Sequence, residues 1–71
     1  MAADKILELF GRNVAKYRKA KGMTIEDLSK KTKIRSEYLS RIEKYTAKRI
    51  ILPKTMVIAE ALGIPLWNLF E

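Results

Sequence analysis

Five polar residues, Ser36, Glu37, Ser40, Arg41 and Lys44, recur at steps of one and three, and that spacing gathers them on one side of a helix. Their groups are a guanidinium, an ammonium, two hydroxyls and a carboxylate, a set suited to hydrogen bonding and charge pairing with a polar partner. The opposite side of the same stretch carries Leu39 and Ile42. The polar side also lies in the part of the chain that holds the positive charge. Residues 12–54 contain fourteen of the fifteen Lys and Arg against four acidic residues, a net of +10, while residues 1–11 and 55–71 carry −1 and −2. A basic region of this kind is built to meet an anion, which could be a nucleic acid or an anionic membrane surface, and charge alone does not choose between them.

Other chemistries are removed by what is missing. The chain has no cysteine and no histidine, so disulfides, thiolate or imidazole metal sites and Ser/His or Cys/His nucleophile pairs are excluded together. The carboxylates Glu26, Asp27, Glu37 and Glu43 fall on exposed helical positions with no partner of catalytic type. No enzyme activity, metal or cofactor is expected. Apolar residues make up 48% of the chain and are spread through it, which argues for a folded domain. No apolar run approaches the roughly 18 residues of a membrane span. The opening MAADKILELF lacks a basic region followed by a long apolar one, so no secretory signal is read and a cytoplasmic location is expected.

The elements that position the polar residues can be read in order. Ile6, Phe10, Val14 and Tyr17 follow one another at steps of four, four and three, which predicts a helix from Asp4 to Lys21, stopped by Gly22. Thr24 then offers an N-cap, with Asp27 three residues on and Met23 and Leu28 placed for a hydrophobic staple. This second helix runs to about Thr32. A third occupies about 35–44, with Ile34 as staple partner for Leu39. The stretch from Tyr45 reads as a loop with Lys48 and Arg49 outside and Ile50 to Leu52 turned inward. Pro53 opens a fourth helix whose inner stripe is Ile58, Ala59 and Leu62, Gly63 ends it, and Pro65 starts a last short helix, LWNLF. Residues 1–71 thus read as one compact all-α domain of five helices.

Two short helices joined by about three residues, the second with an exposed polar face, suit one helix crossing a DNA backbone and the next entering the major groove. The residues KGMTIEDLSKKTKIRSEYLSRIEK, with a helix-turn-helix over about 24–44, resemble the lambda-repressor-like DNA-binding domain of the Xre family. The likeness extends through IAEALGIPLWNLF and covers roughly residues 10–70. It implies that Ser36, Glu37 and Arg41 read base edges: Arg41 can fork onto guanine O6 and N7, Glu37 can accept from a cytosine amino group, and Ser36 can pair with either kind of edge. It further implies that Arg35, Tyr38 and Ser40 flank these as base or phosphate contacts, Tyr38 reading equally as a residue packed on the second helix, that Thr24 and the start of the second helix face a phosphate, and that Lys44, Lys48 and Arg49 meet the backbone. Arg18 and Glu43 correspond to the family's internal ion pair, and Val14, Leu28, Leu39, Ile42 and Ile58 to its core. Lys30, Lys31 and Lys54 read as solvated surface.

The sequence departs from the family pattern at four places. Lys33 and Tyr45 stand where glycine is frequent, so each turn either accepts strain of about 1 kcal/mol or takes another shape. Arg35 stands where a Ser or Thr cap is usual; were Ser36 the cap instead, the base-reading set would shift by one. Ile25 replaces a frequent glutamine. Leu66, Trp67, Leu69 and Phe70 read first as core, yet four large apolar residues in one short helix exceed what one inner face can hide, and Leu66, Trp67 and Phe70 are the candidate dimer contact. Such a dimer would hold two recognition helices about 34 Å apart for a palindromic operator. The expected activity is therefore that of a dimeric transcriptional regulator of double-stranded DNA, repression preferred, with no membrane or small-molecule partner. The alternative is a DNA-binding antitoxin or other module whose main partner is a protein. Glu37 also has a competing reading as an i,i+4 ion-pair partner of Arg41.

Overall fold

The computed structural model describes residues 2–47 and 49–71. Four α-helices follow in order, α1 (Ala2–Ala20), α2 (Ile25–Thr32), α3 (Ser36–Glu43) and α4 (Leu52–Leu62), and a 3₁₀ segment spans Leu66–Phe70. The described residues contain no strand. The last element corrects the expected fifth α-helix. It has five residues after Pro65 and no side-chain cap, too little chain for a stable i→i+4 ladder, and Asn68 N donates instead to Pro65 O at 3.1 Å.

α1 stops at a left-handed Gly22 (φ 69°), where Gly22 N bonds Lys19 O and Met23 N bonds Arg18 O. α2 opens with a complete capping box: Asp27 N donates to Thr24 Oγ1, and Thr24 N donates to the Asp27 carboxylate, both at 3.0 Å. The N-cap of α3 is Arg35, which makes no side-chain cap, so the frame of α3 is the unshifted one.

Each element sends apolar side chains to one core. Phe10 and Val14 come from α1, Leu28 from α2, Leu39 and Ile42 from α3, Ile58 and Leu62 from α4, and Leu69 from the 3₁₀ segment. The side-chain amide of Asn13, buried in α1, donates to Leu69 O at 2.9 Å and so ties the end of the chain to its start. The inward clip expected at Ile50 to Leu52 is reduced to Ile50. Ile51 and Leu52 are 51% and 60% exposed, because α4 begins at Leu52 and its inner face is already filled by Thr55, Ile58, Ala59 and Leu62.

Candidate nucleic-acid interface

The turn between α2 and α3 is held by side chains of α2. Thr32 Oγ1 donates to Leu28 O and accepts from Ile34 N, and Ser29 Oγ donates to Ile34 O. Buried polar groups of the turn are thereby satisfied from one side. This clamp leaves Lys33 in the left-handed region (φ 62°) without a glycine. The turn after α3 solves the same problem with Tyr45 (φ 64°). Tyr45 N bonds Ile42 O, and Thr46 N bonds Arg41 O at 2.9 Å, the paired pattern in which glycine is usual. Strain is accepted at both sites because neighbouring hydrogen bonds over-determine the backbone.

α3 is anchored from behind by an ion pair. Arg18 Nε and Nη2 donate to the two carboxylate oxygens of Glu43 at 2.7 and 2.9 Å, and Nη1 donates to Met23 O at 2.7 Å. Both charged side chains are 11% exposed. The hydrogen bonds to Glu43 hold the Arg18 pKa above its ordinary value, against the opposing effect of burial. Arg18 is thus turned inward, where it fixes the end of α1 and the α1–α2 turn to the end of α3.

The outward face of α3 is open. Glu37 and Arg41 are exposed and Ser36 and Ser40 half-buried. With Lys44 and with Ile25 and Glu26 at the start of α2, they line a shallow concave surface. Among the described residues neither Glu37 nor Arg41 makes an ion pair within 4 Å, so the intrahelical pairing considered for them is not formed. Thr24 caps α2 at the edge of this surface, and the N–H groups of Ile25 and Glu26 have no partner inside the helix. The contact with Thr24 N keeps the Asp27 carboxyl below its ordinary pKa.

The remaining predicted residues divide. Arg35, Lys44 and Arg49 are exposed, and Lys48 lies outside the described residues. Tyr38 is half-buried, and its hydroxyl donates to Arg49 O at 2.7 Å. Lys54, read from sequence as solvated, lies 4.6 Å over the Tyr38 ring and shares two adjoining grooves with Tyr38 and Arg41. Nothing in the local sequence of Lys54 marks it, since it belongs to α4 and reaches this face only through packing. In the 3₁₀ segment, Trp67 is 66% exposed, Leu66 half-buried, and Phe70 stacked on Phe10 with ring centroids 5.3 Å apart. Leu52 and Met56 of α4 are exposed as well.

Residues 14–66 match the family described as helix-turn-helix. The chain belongs to the lambda-repressor-like, Xre-type helix-turn-helix family. It is therefore a DNA-binding protein of the transcription-regulator kind and not an enzyme. The restriction-modification controller protein C.AhdI from Aeromonas hydrophila is similar in structure, with a TM-score of 0.85 and 28% identity over 90% of this chain and 96% of that one. A hypothetical transcription factor, NHTF from Neisseria, shares the fold with a TM-score of 0.87 and 24% identity over 93% of this chain and 75% of that one. No curated protein matches the chain. Among the described residues of this helix-turn-helix protein, no helix is long and apolar enough to cross a membrane.

Proposed function

We propose that residues 1–71 act as one DNA-binding domain, a homodimeric transcriptional regulator that reads a palindromic operator with α3 in the major groove. The observation that carries this reading is the outward face of α3, where Arg41 and Glu37 stand exposed with no ion-pair partner among the described residues. In this reading Arg41 forks onto guanine, Glu37 accepts from a cytosine amino group and Ser36 takes either edge, with Arg35 and Ser40 beside them. Thr24 and the start of α2, with Lys44, Arg49 and the sequence neighbour Lys48, grip phosphates.

Dimerisation is supported by apolar surface with no cover. Trp67, Leu66 and Phe70 lie near one end, and exposed Leu52 and Met56 add to what a second copy would bury. The likeness to a restriction-modification controller protein supports a regulatory role, and occlusion of a promoter by a bound dimer, hence repression, is the simplest form of it. In this reading the protein acts in the cytoplasm.

Repeated selection from a randomised duplex pool tests the reading, with the winning sequence retested at two salt concentrations and with Arg41→Ala. The expected winner is palindromic, and its preference collapses in the variant. Salt-sensitive binding with no enriched sequence would leave only the phosphate contribution and overturn base reading by α3. Trp67→Asp is expected to yield a monomer by sedimentation.

A further inference from the structure

Tyr38 and Lys54 belong to different helices, and their side chains meet. The Lys54 ammonium lies 4.6 Å from the Tyr38 ring centroid, and the Tyr38 hydroxyl reaches the other way to donate to Arg49 O at 2.7 Å. The hydroxyl has one hydrogen, and Arg49 holds it. Tyr38 therefore has nothing left to donate to a phosphate, and its lone pairs are of no use to an anion. Lys54 is half-buried yet makes no ion pair within 4 Å among the described residues. It borders two adjoining grooves, both bordered by Arg41, one continuing to Arg49 and the other to Arg35. An ammonium already restrained against an aromatic face loses less freedom on meeting an anion than a free lysine does.

We propose that Lys54 is a phosphodiester contact of this domain and that Tyr38 is its positioning residue, holding the ammonium with its ring without touching DNA itself. The proposal rests on α3 being the recognition helix, and it adds α4 to the DNA-facing surface.

The test is binding of the full chain to a random-sequence duplex and to the selected operator across a salt series. Lys54→Ala is expected to lower the slope of log K against log salt by about one unit on both duplexes, with base preference and melting temperature unchanged. Lys54→Arg restores the slope. Tyr38→Phe, which keeps the ring, holds it, while Tyr38→Leu weakens binding in the wild-type background by several-fold and in the Lys54→Ala background by less. An unchanged slope in Lys54→Ala, while Arg41→Ala still abolishes base preference, overturns this proposal alone. Equal losses from Tyr38→Leu in both backgrounds overturn the positioning role. A wild-type chain with no enriched sequence overturns the reading of α3 as well.

Discussion

Gly11 of α1 faces the backbone carbonyl of Ile42 in α3, and a β-carbon placed at Gly11 would fall inside the van der Waals shell of that oxygen. The two helices approach this closely because one of them has no side chain at the contact. Gly11 is accordingly buried in the middle of a helix, where glycine is otherwise unfavourable.

Gly11→Ala is expected to destabilise the fold by about 2–3 kcal/mol, since the obstacle is backbone and cannot rotate away. At roughly 4–8 °C per kcal/mol for a domain of this size, a thermal melt reads the change easily. An unchanged melting temperature would mean that α1 and α3 are not in contact there.

The two strained turns respond differently to glycine. Lys33 is exposed and held at φ 62°, so Lys33→Gly relieves strain and is expected to raise stability by about 0.5–1 kcal/mol. The Tyr45 ring packs beside Gly11, so Tyr45→Gly loses a contact as it gains freedom and should change stability by less than about 0.5 kcal/mol. Urea melts of the two variants separate these outcomes.

Arg18 and Glu43 are coupled, and removing one leaves the other charge poorly solvated. Arg18→Met is expected to cost about 3 kcal/mol, and Arg18→Met combined with Glu43→Leu to recover much of that loss. A double-mutant cycle by chemical denaturation measures the coupling. Additive single effects would contradict the bidentate geometry.

The capping box of α2 makes an acid-sensitive contribution. The Asp27 carboxyl is held below its ordinary value, chiefly by the hydrogen bond from Thr24 N, so the folded state favours the ionised form. That stabilisation is fully present above the unfolded value of 3.8 and disappears as pH falls through the lower folded value. Asp27→Asn should therefore be less stable than wild type at neutral pH, with the gap closing in acid. Thr24→Ala is expected to cost about 1 kcal/mol.

Glu37 is a carboxylate with no ion-pair partner among the described residues, on a surface proposed to meet phosphates. Glu37→Ala should raise affinity for random-sequence DNA while relaxing preference at one base pair by about 1–3 kcal/mol. Equal weakening on all duplexes would remove Glu37 from the base-reading set.

Much of the architecture was legible because local signals agree with the packing. The step pattern Phe10, Val14, Tyr17, the Thr24–Asp27 box, and the glycine and proline stops located four helices close to their observed bounds. The last element was misjudged in type, since LWNLF carries the apolar content of a helix but not the length for its hydrogen-bond ladder. The inward placement of Ile51 and Leu52 failed for a related reason. α4 is apolar nearly all round, so hydrophobicity could not say which side faced the core.

For the interface, the polar face of α3 follows from sequence spacing, because 3.6 residues per turn places Ser36, Glu37, Ser40 and Arg41 together whatever surrounds them. Local chemistry also settles the cap of α2, the charge distribution and the absence of thiol or imidazole chemistry. Spacing cannot show which of these groups remain unpaired, or that Lys54 lies over Tyr38, that Lys33 and Tyr45 tolerate left-handed backbone, or that Gly11 admits α3. Those depend on atoms far apart in the chain. Strain and desolvation at one residue are balanced by hydrogen bonds and packing from another, and that balance exists only once the helices have docked.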